Sequence, residues 1–445
     1  MLVITLILKK LMNNIIMDLI KKIKPHAISL FLFVCISVFY FSPLLEGKKL
    51  DMQDIKQYQG MSKEITDYRL ETGEESLWTN SMFSGMPAYQ ITAKSNSNLI
   101  KYVVKIITFG LPRPANLLFL YLLGFYVLLL SLKVDYRISF IGAIAFAFSS
   151  YFFIIIEAGH MTKAHAIAYF PLVVASVLYT YRGRILFGGV FTALSVALQL
   201  YANHLQITYY LVLVLILIGI VQLFKDLKND NIIDFLKRTG VLFLSALLAA
   251  GTSFTVLATT MEYGKESTRG KSELTNNLNN KTSGLDKDYA TSWSYGIAET
   301  FTLLVPNFYG GASQGELNTD SDTYQAIKRA PNAKKLIKNL PLYFGDQPFT
   351  SGPTYAGAIV IFLFVIGIFF ISSALKVWLL LATILSIMLA WGKNFMPLTE
   401  FFLDYFPGYN KFRAVSMILV IAEFTLPLLG FFALNKFLFD KDESF

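Results

Sequence analysis

Residues Ile207–Phe224 read ITYYLVLVLILIGIVQLF, eighteen positions without one charged side chain. A run of this length and character crosses the roughly 30 Å hydrocarbon core of a bilayer as a helix, since a helix pairs its backbone groups within itself. Moving outward from it, the same reading applies at nine other places. Before it lie Ile28–Leu45, Ala115–Leu132, Ile138–Ile156, Ala164–Tyr181 and Ile185–Ala202. After it lie Val241–Thr259, Tyr355–Ser373, Val377–Trp391 and Val415–Phe437. The sequence thus predicts an all-α polytopic membrane protein with about ten transmembrane helices, forming one integral-membrane domain over residues 1–445.

Composition agrees with that reading. The chain is 54% hydrophobic and only 16% charged, with 39 Phe and 24 Tyr. Soluble domains carry about 25% charged residues, so a soluble enzyme, a disordered chain and a fibrous protein are all excluded. Cys35 is the single cysteine, which excludes a disulfide framework, and four scattered histidines leave little room for a Cys/His zinc centre. Residues 27–45 are too long for a cleavable signal peptide and lack a small-residue cleavage site after them.

Charge fixes the orientation. Lys and Arg of short loops stay on the cytoplasmic side. Lys21, Lys22 and Lys24, then Lys133 and Arg137, Arg182 and Arg184, Lys225 and Lys228, Lys237 and Arg238, and finally Lys376, Lys436 and Lys441 all fall on one face. That face is the cytoplasm, both termini lie there, and the net charge of +9 belongs to a membrane surface, with no nucleic-acid partner. Two long segments then lie outside the cell, residues 46–114 and 261–353. Long ordered loops of this kind are usually functional. Within the first, Leu99–Leu111, LIKYVVKIITFGL, has the length and the two lysines of an interfacial helix; a frayed extension of the following span is the plainer alternative.

Costly polar groups gather at the outer rim. Asp51 and Asp54 follow the first span, and on a helix a spacing of three would place them on one face. A carboxylate there suits a general base or a divalent-cation ligand, where the alternative is a solvated acidic pair. In IEAGHMTKAHAIAYFP, Glu157, His160, Lys163 and His165 crowd into a turn between two spans, where Lys163 and His160 could hold a phosphate. The next outer turn carries His204 and Gln206. The second long segment carries Trp293 and Glu299, types that line sugar-binding clefts and also pack loops. Arg413 stands at the mouth of the last span, able to meet a lipid phosphate or simply to snorkel. No phosphate loop, H-E-x-x-H or C-x-x-C pattern is present.

Seven blocks in order, among them SPLLEGKKLDMQDIKQYQGMSKEI, LWTNSMFSGMPAYQI, EAGHMTKAHAIAYFPLV, WSYGIAETFTLLVPNFYGG and YNKFRAVSM, resemble the bacterial YfhO family of membrane proteins in its Bacteroidetes form. That family is similar to the GT-C class of integral-membrane glycosyltransferases. The resemblance implies a GT-C-like fold in the bacterial cytoplasmic membrane and transfer of a sugar from a polyprenyl-phosphate donor to a cell-envelope glycan or polymer acceptor. It implies Asp54, with Asp51 as companion, as the catalytic acid of the first outer loop. His160, Lys163 and Arg413 would then bind the donor phosphate, and Glu157, His204, Gln206, Trp293 and Glu299 the substrates; a divalent cation is left open. Family members are usually longer, so the chain reads as a short or split member, with MLVITLILKKLMNNIIM as an extension before the usual start. The rival readings are a lipid-linked sugar transporter and a non-catalytic assembly protein.

Overall fold

A computed structural model describes residues 2–92, 98–271 and 277–439, with side chains from residue 17 onward. Lys441, assigned above to the inner face, lies outside the described residues. The apolar runs do become helices. In chain order these are α1 (Leu2–Tyr40), α2 (Gln53–Met61), α3 (Lys63–Thr72), α4 (Ile100–Ile107), α5 (Ala115–Ser131), α6 (Tyr136–Ala147) and α7 (Ser150–Ala158). Next come α8 (Met161–Tyr181), α9 (Ile185–Tyr201), α10 (Leu205–Lys228), α11 (Ile232–Thr252) and α12 (Phe254–Gly264). The short α13 (Lys287–Ala290), α14 (Asp322–Ile327) and α15 (Ala333–Leu336) belong to the second long segment. The chain ends with α16 (Ala358–Phe370), α17 (Ala374–Ala390), α18 (Met396–Tyr405) and α19 (Leu419–Phe439).

Every expected span has a helical counterpart, but their lengths differ. Four helical stretches among the described residues are long and apolar enough to cross a bilayer: Met17–Tyr40, Met161–Tyr181, Leu205–Lys228 and Val415–Phe439. The number rises to seven when each bent pair is taken as one span. The helices α5, α9 and α16 are apolar but shorter, at 17, 17 and 13 residues.

Two runs that read as continuous are broken, and a third break follows directly on the expected ninth span. Between α6 and α7 the axis bends by 47°, at Phe148–Ser149 inside the Ser-Ser pair of the expected third span. The expected seventh span, Val241–Thr259, straddles an 81° break at Ser253, so its true helix begins nine residues earlier, at Ile232. That earlier start is tolerated because Arg238 is met by Asp234 at 3.5 Å and donates to the Tyr181 carbonyl at 3.0 Å. The third break, 112°, turns the chain from α17 into the stretch that ends in α18. Small polar residues at such breaks explain them: Ser and Gly let a helix terminate inside an apolar run.

α8 and α19 form the buried centre and α1 the periphery: 78% and 83% of the first two spans are buried, against 17% of the last. Around α8 pack α5, α9 and α10; around α19 pack α6, α16 and α17. Small residues mark the crossings, where they let the helix backbones approach closely. At Gly124 of α5, an added Cβ would stand 2.8 Å from the Ala168 carbonyl oxygen of α8. The first long segment folds as α2, α3, an antiparallel pair of two-residue strands (Trp78–Thr79 with Met86–Pro87) and α4. The helix expected at Leu99–Leu111 is shorter: α4 spans eight residues, packs on α9 and leaves Tyr102 and Ile106 exposed.

Candidate functional site

The connection between α7 and α8 is two residues long. Gly159 adopts φ +91°, and a side chain there would press on Asp54 Cβ, Met52 Cβ and the Ile55 amide, each 3.2 Å away. The bare backbone of Gly159 therefore lets the start of α2 settle against the turn, which carries Asp54 to His160. His160 Nε2 lies 2.9 Å from Asp54 Oδ2, and its Nδ1 lies 3.1 Å from the Lys163 ammonium one turn further along α8. Lys163 is buried (8% exposed), whereas Asp54 and His160 keep side-chain exposures of 45% and 38%.

Burial, joined by the Lys163 charge, pushes the His160 imidazole down to about 4 against the opposing pull of Asp54. At neutral pH the ring is therefore uncharged. Lys163 donates to Nδ1, which places the ring proton on Nε2, from where it is donated to Asp54. The result is an ordered chain, ammonium to imidazole to carboxylate, open to solvent at the carboxylate end. One Asp54 oxygen is engaged in this way, and a half-exposed carboxylate so oriented can accept a proton.

His204 precedes the first turn of α10 and accepts from the Ile207 amide at 3.2 Å. Burial, then the Lys163 charge, lowers it to about 3, and His160 also acts on it, so the two turns face one another. Gln206 donates to the Arg413 carbonyl at 2.7 Å and to the Tyr210 hydroxyl at 2.8 Å. Arg413 donates to the Tyr289 hydroxyl at 2.7 Å, with its guanidinium 5.7 Å from the Tyr289 and Trp293 ring centres. It is also close enough for its charge to act on Lys163.

Other expected residues go elsewhere. Asp51 precedes α2, which begins at Gln53, and pairs with Lys56 at 2.5 Å, so the two carboxylates do not share a helical face. Glu157 lines a groove of about 490 Å³ with Tyr40, Phe41, Lys48, Lys49 and Phe153, to one side of the chain described above. Trp293 packs against Phe349 and donates to its carbonyl at 3.2 Å. His165 turns back to the Met161 carbonyl at 2.8 Å.

Glu299 has a pocket of its own. It is 3% exposed and accepts from the Gly296 amide at 2.9 Å, the Tyr343 hydroxyl at 2.8 Å and Gln347 at 3.3 Å. Burial raises its carboxyl, with these hydrogen bonds opposing. The adjoining cavity, about 10 Å³, is the size of one water. Ser416 donates to the Gln347 side chain at 3.3 Å, and the Ser416 amide donates to the Trp293 carbonyl at 3.2 Å. The stretch 413–416 therefore ties the two polar regions together. Tyr289, Tyr343 and Gln347 escaped the sequence reading. Tyr343 and Gln347 fell in the stretch YFGDQPFTSGPTYAG without being singled out there, and the tyrosines gain their meaning from partners 124 and 44 residues away.

Among the described residues no three His, Cys, Asp or Glu side chains come together as a metal-binding group. Comparison of the chain with protein-family models, with curated proteins and with solved structures returns no match.

Proposed function

We propose that this chain is a membrane glycosyltransferase of the YfhO type, moving a sugar from a polyprenyl-phosphate donor to a cell-envelope acceptor on the outer face of the bacterial cytoplasmic membrane. In this reading ten helices cross the bilayer, with α5, α9 and α16 as short crossings, both termini are cytoplasmic, and residues 46–114 and 261–353 are extracytoplasmic. The observation that carries it is the Asp54–His160–Lys163 chain, assembled from two distant segments, the first turn of α2 and the start of the apolar helix α8.

The chemistry follows from that order. The acceptor hydroxyl gives its proton to Asp54 as its oxygen bonds to the anomeric carbon. The bond from that carbon to the donor phosphate breaks, and the phosphate leaves with the electron pair, so the anomeric centre inverts. His160 holds the carboxylate in place, and the Lys163 and Arg413 charges stabilise the departing phosphate. Lys48 and Lys49 stand beside the neighbouring apolar groove, where a lipid tail would find room.

The test is transfer of radiolabelled sugar from polyprenyl phosphate by the purified full chain. Asp54→Asn is expected to lower kcat/KM by about 10²–10⁴, the usual worth of a general base. Wild-type turnover at normal protein level would remove Asp54 from catalysis. A second reading, a transporter of lipid-linked sugar, is favoured by one observation, the buried Glu423 of α19. In that case label crosses the bilayer and no lipid phosphate is released.

A further inference from the structure

On α19, Glu423 is 1% exposed and stands opposite the break between α6 and α7. Its Oε1 accepts from Ser149 Oγ at 2.6 Å, but its Oε2 has no hydrogen-bond partner among the described residues. Three phenols are close enough for the Glu423 charge to act on them, Tyr121 of α5, Tyr151 of α7 and Tyr295 of the second long segment, and the hydroxyls of the first two are buried without a hydrogen-bond partner among the described residues. Tyr355, at the end of the second outer segment, is drawn to the same break: its carbonyl accepts from the Ser150 amide at 3.2 Å and lies 3.4 Å from Ser149 Oγ. Phe146, Phe152, Phe170 and Phe424 pack around this group.

An unsatisfied buried polar atom is costly, and here three occur together, one of them on the carboxyl itself. Ser149, Tyr355 and the carboxyl add further oxygens. No nitrogen or sulfur ligand is among them, and the one carboxyl supplies a single negative charge when a cation displaces its proton. Oxygen donors suit hard cations, and one negative charge neutralises one positive charge. Discontinuous helices that expose backbone at membrane depth are where such ions are held.

We infer that Glu423, Ser149, Tyr121 and Tyr151 form a buried binding site for a monovalent cation at the break between α6 and α7. The site is independent of the transferase reading, and no step of the sugar transfer passes through it. Binding fills the orphaned oxygens and locks α19 to the break.

The test is thermal unfolding of the purified full chain in nanodiscs, as NaCl or KCl replaces N-methylglucamine chloride at constant ionic strength. The midpoint is expected to rise saturably with Na⁺ or K⁺ in the wild type. Tyr121→Phe and Tyr151→Phe each raise the half-saturating concentration at least threefold, and Glu423→Gln abolishes the response. One midpoint in all three salts overturns the proposal in favour of bound water alone. A saturable response that survives in Glu423→Gln, or an unchanged half-saturation in both tyrosine variants, also overturns it; the latter serves if Glu423→Gln does not fold.

Discussion

His160 and His204 are both held below the ordinary imidazole range, at about 4 and about 3, first by burial and then by the same lysine. Unfolding releases both toward the usual value near 6.5. Between pH 6.5 and about 4 the unfolded chain thus binds more protons than the folded one, so stability falls as pH falls through that window. Thermal unfolding at pH 7.5, 6 and 5 checks this: the midpoint should drop on acidification, and the drop should shrink in His160→Gln. The facing groups, Asp54 and Lys163, were legible as candidates because ionisable residues at a membrane rim are scarce. Their pairing was not, since Asp54 and His160 lie 106 positions apart and the contact depends on Gly159 leaving room for α2. For the same reason Glu157, three residues from His160 in sequence, could not be separated from it; the turn of the helix sends it to the groove instead.

At the scale of elements, long uncharged runs announce helices because nothing else satisfies a backbone in lipid. All ten expected spans are accordingly helical in their larger part. Where a run bends is less visible. Ser149 and Ser253 each sit within apolar sequence, and only neighbouring helices decide whether such a residue interrupts the helix or is carried within it. The crossing of α5 and α8 offers a direct check on packing. A Cβ at Gly124 would meet the Ala168 carbonyl oxygen at 2.8 Å, a backbone atom that cannot rotate away. Gly124→Val should therefore force the two helices apart, at a cost of about 1–3 kcal/mol. Reversible unfolding in mixed micelles would show it as a lower midpoint, and an unchanged midpoint would mean that the pair is not closely packed.

For the whole molecule the proposed orientation makes the sharpest prediction. Cys35 can be replaced by serine, leaving a cysteine-free background. Glu74→Cys and Asp320→Cys, exposed in the two long segments, should react in intact cells with a membrane-impermeant maleimide, while Asn229→Cys, exposed between α10 and α11, should react only after lysis. The reverse pattern would place the proposed site in the cytosol. The helical class and the two long segments follow from hydropathy and charge alone; the second polar region around Glu299 does not, because it depends on side chains that only tertiary folding brings together.

The brevity of α16 has a consequence for its surroundings. Thirteen residues rise about 20 Å, some 10 Å less than an ordinary hydrocarbon layer. Ile359, Phe362, Phe369 and Phe370 nevertheless turn outward along it. In the proposed ten-span orientation, acyl chains beside this flank shorten or tilt to match it, so the sheet of lipid puckers there and the two leaflets' headgroups draw nearer to one another.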